Sequence, residues 1–205
     1  MAQSVLVIAD SGTGKSTAIR NLNPDETFII NIANKPLPFK GWKKNYTLIS
    51  KENPKGNLAS ASSAIGIMKA IKHVDEKMPA IKTLVVDDWQ YMSSFEYFDR
   101  ANEKGYDKFT QIAANLAQVA KMPKDLRDDL TVIFLTHSED STDLNGNRKV
   151  KAKTIGKMID NTLTLEGLFS IVLFGKVNKN DDGELEYGFE TQNNGENTCK
   201  SPQGM

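Results

Sequence analysis

The sequence predicts an α/β fold, a mostly parallel central sheet flanked by helices and closed at one edge by a C-terminal antiparallel hairpin. Three observations carry this. Short apolar runs bounded by polar breaks recur at 4–9, 27–32, 83–86, 131–136 and 169–177, the pattern of strands buried on both faces. Helical periodicity fills the gaps: Ala61, Ala64, Ile65, Met68, Ile71 and Val74 recur at three- and four-residue steps, and so do Phe109, Ile112, Ala113, Leu116, Val119 and Ala120. Strand and helix therefore alternate, as in a doubly wound sheet. Near the end, Leu185, Tyr187 and Phe189 alternate with Glu184, Glu186 and Glu190 behind the turn signal Asp182-Gly183. That segment is a strand with one wet face, paired with the run at 169–177. At 205 residues, 39% hydrophobic, the chain suits one domain, 1–205.

The first strand runs directly into Ala9-Asp10-Ser11-Gly12-Thr13-Gly14-Lys15-Ser16, a phosphate-cradling loop with Ala in its first glycine position. A strand stops, small residues let backbone N–H groups curl around a phosphate, and a helix starts over Ser16–Arg20 with its positive end facing the anion. The first position needs a small residue more than a positive φ, whereas Gly12 and Gly14 remain where the backbone must approach phosphate. Asp10 through Thr17 are thus the expected nucleotide-binding residues, Lys15 reaching the β- and γ-phosphates and Ser16 offering its hydroxyl to Mg²⁺.

The strand at 83–86 ends in Asp87-Asp88. Asp87 is expected to hold the metal through water, and Asp88 to orient the attacking water. The next strand, 131–136, is expected between the first strand and the Asp87 strand, which sets Thr136 and His137 beside the terminal phosphate as sensors. His73 reads as an ordinary helix-surface residue.

Two polar stretches, 34–59 and 138–153, read as functional loops. The second leads into Arg148, Lys149, Lys151, Lys153 and Lys157 with no acid among them. Five contacts to a single strand's phosphates would make log K fall against log salt with a slope near ~−3.5. In the first, Phe39, Trp42 and Tyr46 stand among Lys40, Lys43 and Lys44, either to stack bases or adenine or to pack against the sheet edge. Elsewhere charge is balanced, 26 basic against 26 acidic residues, so no global field draws the chain to a polyanion or a membrane. One cysteine, Cys199, excludes an intrachain disulfide and fits a reducing compartment. No apolar stretch approaches membrane-spanning length, and the first strand leaves no room for a leader; the expectation is a cytoplasmic protein.

With these motifs in place the chain resembles RecA-type core ATPases. More narrowly it is similar to small phage-encoded proteins made of the RecA-like core alone, grouped with single-strand-annealing recombinases. The resemblance rests on 11–16, on Lys35-Pro36-Leu37-Pro38-Phe39, Leu135-Thr136-His137-Ser138, Thr154-Ile155-Gly156-Lys157-Met158 and Thr198-Cys199-Lys200-Ser201-Pro202. It implies ATP and Mg²⁺ as cofactors, binding of single-stranded DNA through the mobile loop 138–153, and a part in recombination or annealing in the host cytoplasm. It also implies a homo-oligomer in which Lys200 faces a neighbour's ATP, against its simpler role of capping the hairpin end. Two departures stand out. The second strand offers the amides of Asn31 and Asn34 where the RecA pattern keeps a glutamate, and no segment precedes the first strand to carry an oligomerisation motif. The chain also ends at 201–205 without a cap, as if a continuation followed.

The amides leave room for another reading, a slow nucleotide-dependent switch acting through a single-strand-binding or replication protein partner. A small-molecule kinase would need a cationic lid, yet the four arginines, at 20, 100, 127 and 148, are scattered.

Overall fold

The sheet order is β3-β2-β4-β5-β1-β7-β8 in a computed structural model that describes residues 1–142, 146–155 and 164–202. Its strands are β1 (Gln3–Ala9), β2 (Thr27–Asn31), β3 (Leu58–Ser60), β4 (Thr83–Asp87), β5 (Thr131–Thr142), β7 (Ile171–Lys179) and β8 (Leu185–Glu190), with β6 (Arg148–Ala152) pairing β5 off this path. Every pairing from β3 across to β7 is parallel, and only β6 and β8 run antiparallel. As the sequence predicts, β5 lies between β1 and β4.

The two faces are covered unequally. On one, Leu6, Ile8, Phe28, Ile30, Leu84, Val86, Val132 and Phe134 meet α3 (Ala64–Lys77), α4 (Gln90–Asp99) and α5 (Asp107–Lys121). α3 starts at Ser63, whose hydroxyl accepts from the Gly66 N–H, and buries Ala64, Ile67, Ile71 and Val74, one stripe at helical spacing. Arg127 donates to the carbonyls of Val74, Asp75 and Met78 at its end, and Pro79 follows. On the other face Val5, Val7, Ile29, Val85 and Leu135 meet α1 (Lys15–Ala18), its 3₁₀ continuation through Asn21, and the chain from Leu37 to Leu58. The continuation stops before Pro24, which restricts Asn23 to an extended conformation, and the Asn23 side chain accepts from the Asp25 N–H.

Two expected loops turn out to be structured. Within 138–153 the described residues form an antiparallel pair, since β5 continues through Thr142 and pairs with β6 in register Glu139↔Lys151 and Ser141↔Lys149. Its alternating Val150 and Ala152 are buried, so one face has core to pack on, a period-2 signal that the lysines hide. In 34–59, Tyr46 and Leu37 are buried, with Phe39 and Trp42 packed beside them and Phe39 edge-on to Tyr46 at 6.2 Å. Of the two readings for this aromatic-basic stretch, packing against the sheet is the observed one.

Ala9, in the first position of the phosphate loop, is fully buried against Gly175 of β7, where an added Cβ would stand 2.7 Å from the Ala9 methyl. A methyl on one strand is matched by its absence on the next. Gly175→Ala is expected to destabilise the chain by about 1–3 kcal/mol through overpacking, and Ala9→Gly in that background to recover most of it; urea denaturation of the four chains of this cycle measures both terms.

Candidate functional site

β1 and β4 end at the carboxyl edge of the sheet, β1 with Ala9 beside His137 of β5, and the loop after β1 curls there with Gly12 at φ 81° and Gly14 at φ 91°. These left-handed conformations suit glycine and bring backbone N–H groups to one side of the loop. Thr13 closes the turn by donating to the Asp10 carbonyl from its hydroxyl at 2.7 Å. Lys15 is buried and donates from Nζ to the Ala9 and Asp10 carbonyls at 2.7 and 2.8 Å. Burial lowers its pKa, against the opposing pull of Asp88, Asp87 and Asp10. The Ser16 hydroxyl donates to Asp87 Oδ1 at 2.8 Å across 71 residues, so the two expected metal-binding residues do meet.

Asp87 and Asp88 are both buried. In a regular strand consecutive side chains point to opposite faces, yet Asp88 has φ 57°, a left-handed conformation that costs a non-glycine residue on the order of 1 kcal/mol or more. After the turn Asp88 lines the pocket beside the phosphate loop, while Asp87 lies behind it and accepts from Ser16, which also lines it. Trp89 anchors it from below, fully buried with Phe134 and Phe169 at 5.0 and 5.7 Å between ring centroids.

Asp88 is held by two cationic or cation-forming partners, Lys35 Nζ at 3.0 Å and His137 Nε2 at 3.4 Å. Burial pushes its pKa up, but the His137 hydrogen bond and the Lys35 hydrogen bond and charge outweigh it and hold the carboxyl below its usual value. Lys35 answers in kind: burial lowers it, while its contact with Asp88 raises it above the ordinary lysine value. Its ammonium also stands 4.8 Å from the Tyr91 ring centroid. Asn31 delivers Lys35 here, its side chain donating to the Lys35 carbonyl at 2.6 Å and accepting from the Lys35 N–H at 3.3 Å. The amide at the end of β2 therefore shapes a loop. Asp87, without such partners, is driven up to about 6, chiefly by burial, with Asp88's charge adding and the Ser16 hydrogen bond opposing.

Phosphate-loop residues, Lys35, Pro38, Asp88 and His137 line one pocket of about 210 Å³. Thr136 does not reach it: fully buried, its hydroxyl donates to Gln90 Oε1 at 3.1 Å, and the same oxygen accepts the His137 N–H at 3.1 Å. Gln90 thus fixes β5 at Thr136 and His137, and of the two expected sensors His137 alone faces the pocket. Asp10 reaches instead to the Ser138 hydroxyl. Lys200 lies elsewhere, its backbone pairing with Val172 at the flank of β7 and its side chain exposed. Beside it Cys199 is buried, its thiol pushed up to about 11 by burial.

The basic residues divide. Lys149 and Lys151 share one face of the β5–β6 pair with Glu139 and Ser141, and Lys149 donates to the Gly195 carbonyl. Arg148 alternates to the other face and pairs with Asp140 at 2.9 Å. Lys153 donates its N–H to the His137 carbonyl at 2.8 Å and lines a second cavity with Asp10, Gln90, Tyr91, His137 and Ser138. Lys157 lies outside the described residues. The remaining arginines are spent structurally or apart, Arg100 on Glu96 and Glu103, Arg127 on the end of α3, so no cationic lid forms among the described residues.

A family model described as an AAA domain matches residues 1–202. The chain belongs to this AAA domain family. Its coarse activity follows, a nucleotide-binding ATPase domain, and the fold agrees, with mostly parallel strands and a phosphate loop after β1. No curated protein matches the chain. Among the described residues no helix is long and apolar enough to cross a membrane.

Lys35 and Gln90 carry no motif of their own and were not expected in the site. Their only signals are indirect: Lys35 opens a segment that supports the family resemblance, and Gln90 follows the paired carboxylates.

A carboxyl held at about 6 in the folded chain keeps a proton that the unfolded chain has released from ~4 upward. Its contribution to stability is therefore full at low pH and is lost as pH rises through 6. Asp88 has the opposite sign and acts only as pH falls into and below the usual carboxylate range. Asp87→Asn is expected to stabilise the nucleotide-free protein at pH 7 by on the order of 1–3 kcal/mol and to flatten the rise in stability between pH 7 and 5. Urea denaturation of both chains at pH 5, 6 and 7 reads the difference.

Proposed function

We propose that the protein hydrolyses ATP and couples this to binding single-stranded DNA, in the service of recombination or strand annealing. One observation carries the reading: β5 is a single unbroken strand from the pocket where His137 meets Asp88 into the β5–β6 pair that presents Lys149 and Lys151. A change at the terminal phosphate that moves His137 moves the lysine-bearing strand with it.

The residues fit the reaction. Loop N–H groups and Lys15 bind the triphosphate. The donor set at Ser16 and Asp87 is hard oxygen, suited to Mg²⁺, which when bound neutralises charge on the β- and γ-oxygens. Asp88 accepts a hydrogen from the attacking water and orients it, while Lys35 keeps it ionised. His137 reports the state of the terminal phosphate along β5. Lys149, Lys151 and Lys153 meet the DNA backbone. Lys200, exposed and away from its own pocket, offers its ammonium to the site of a second copy.

A second reading is favoured by the same site. A carboxylate held below its usual range by two partners is a weak base, and Asn31 is occupied with the loop, so hydrolysis is slow and the protein acts as a nucleotide-dependent switch on a replication partner. Rapid multiple turnover by the purified protein alone counts against the switch.

ATP turnover is expected to rise on adding oligo(dT) and to vanish in Lys15→Ala, whereas Asp88→Asn retains nucleotide binding but loses hydrolysis at least 10²-fold. With three lysines on phosphates, log K for oligo(dT) falls against log salt with a slope of about −2. Turnover indifferent to DNA, or affinity indifferent to salt, removes the coupling; fluorescence anisotropy across a salt series supplies the second measurement.

A further inference from the structure

The phosphate loop has an aromatic ledge on the side away from the catalytic carboxylates. Gly12, Gly14 and Thr17 border two cavities at once, the 210 Å³ pocket that holds Asp88 and His137, and a larger cleft of about 410 Å³. The far wall of this cleft is the strand Tyr187-Gly188-Phe189 of β8, and its near wall is α1 with Arg20 and Asn21. A methyl on Gly14 would stand 3.4 Å from Tyr187 Cδ1, so the ring lies directly over the loop.

These aromatics do little for the fold. Tyr187 is 59% exposed and Phe189 46%, on a hairpin that runs past the last β1–β7 pair, Ile8↔Phe174, before it turns. Exposed rings beside a binding loop call for a ligand with a flat apolar face. The triphosphate's direction supplies it. With its terminal phosphate at His137 and Asp88, a nucleotide lying along the loop must carry its nucleoside out of the opposite side, into this cleft.

We infer that Tyr187, seconded by Phe189, forms the stacking platform for the nucleobase, and that the site selects purine over pyrimidine nucleotides by ring area. The inference rests on the phosphate-binding reading above. Arg20 and Asn21 are exposed and free to adapt to either purine, so selection works through the face of the base more than its edge. Stacking on an aromatic side chain is sequence-tolerant because every base presents a π face, and the larger purine gains more.

Calorimetry with Mg²⁺–tripolyphosphate, ATP, GTP, CTP and UTP separates base from phosphate. Wild-type protein is expected to bind ATP and GTP about tenfold tighter than CTP and UTP; Tyr187→Ala loses roughly tenfold for the purines, Tyr187→Phe keeps them, and tripolyphosphate binds all three alike, which also shows the variants folded. Unchanged ATP affinity in Tyr187→Ala overturns the inference while leaving the phosphate site standing. Failure of wild-type protein to bind tripolyphosphate overturns the phosphate reading and this inference together. Conversion of an assembled protein to monomers by Tyr187→Ala with ATP affinity intact, seen by sedimentation, makes the ledge a contact between copies and likewise overturns it.

Discussion

Two neighbouring carboxylates buried at the end of one strand are the constraint on which the rest of this site depends. Ionised side by side in a low-dielectric pocket they repel, and each is costly to desolvate. The molecule resolves the conflict asymmetrically. Asp88 takes two partners, Lys35 and His137, and its pKa falls; Asp87 takes one hydroxyl, and its pKa climbs. One is kept as a permanent anion. The other is held near neutral pH, its charge costly to the fold until something offsets it.

Much of the surrounding structure follows from that asymmetry. Lys35 must arrive from beyond β2, so Asn31 ties down the loop that brings it. His137 must stand where β5 passes the phosphate loop, so Gln90 accepts from both its backbone N–H and the Thr136 hydroxyl. The left-handed turn at Asp88 needs a rigid base, and the buried ring of Trp89 with Phe134 and Phe169 provides one. Core packing on one face of the sheet thereby stabilises strained backbone at its edge.

The phosphate loop sits between two unlike cavities. Toward β4 and β5 it faces charge, with the Asp88 carboxylate, two lysines and an imidazole; toward β8 it faces aromatic rings. That polarity gives a nucleotide a direction along the loop. The uneven covering of the sheet serves the same end, since three long helices on one face leave the other to a short α1 and an irregular segment. The site is assembled mostly from that lighter face and from the carboxyl edge.

The mostly parallel sheet, the place of β5 between β1 and β4, both nucleotide motifs and the edge hairpin were legible from the chain alone, because apolar runs, glycine positions and strand-end carboxylates are local patterns, whereas the order of the outer strands was not. Ser16 and Asp87 could be paired from the sequence, since each belongs to a motif with a set place on a parallel sheet. What the tertiary structure alone decided were the partners without motifs: Lys35 on Asp88, Gln90 beneath Thr136, Gly175 against Ala9, Tyr187 over Gly14. It also turned an expected basic loop into an antiparallel pair, because alternation of Val150 and Ala152 is decided by what lies beneath them. Contacts across 46 or 71 residues depend on how elements pack, and packing is a property of surfaces in three dimensions that no window of sequence contains.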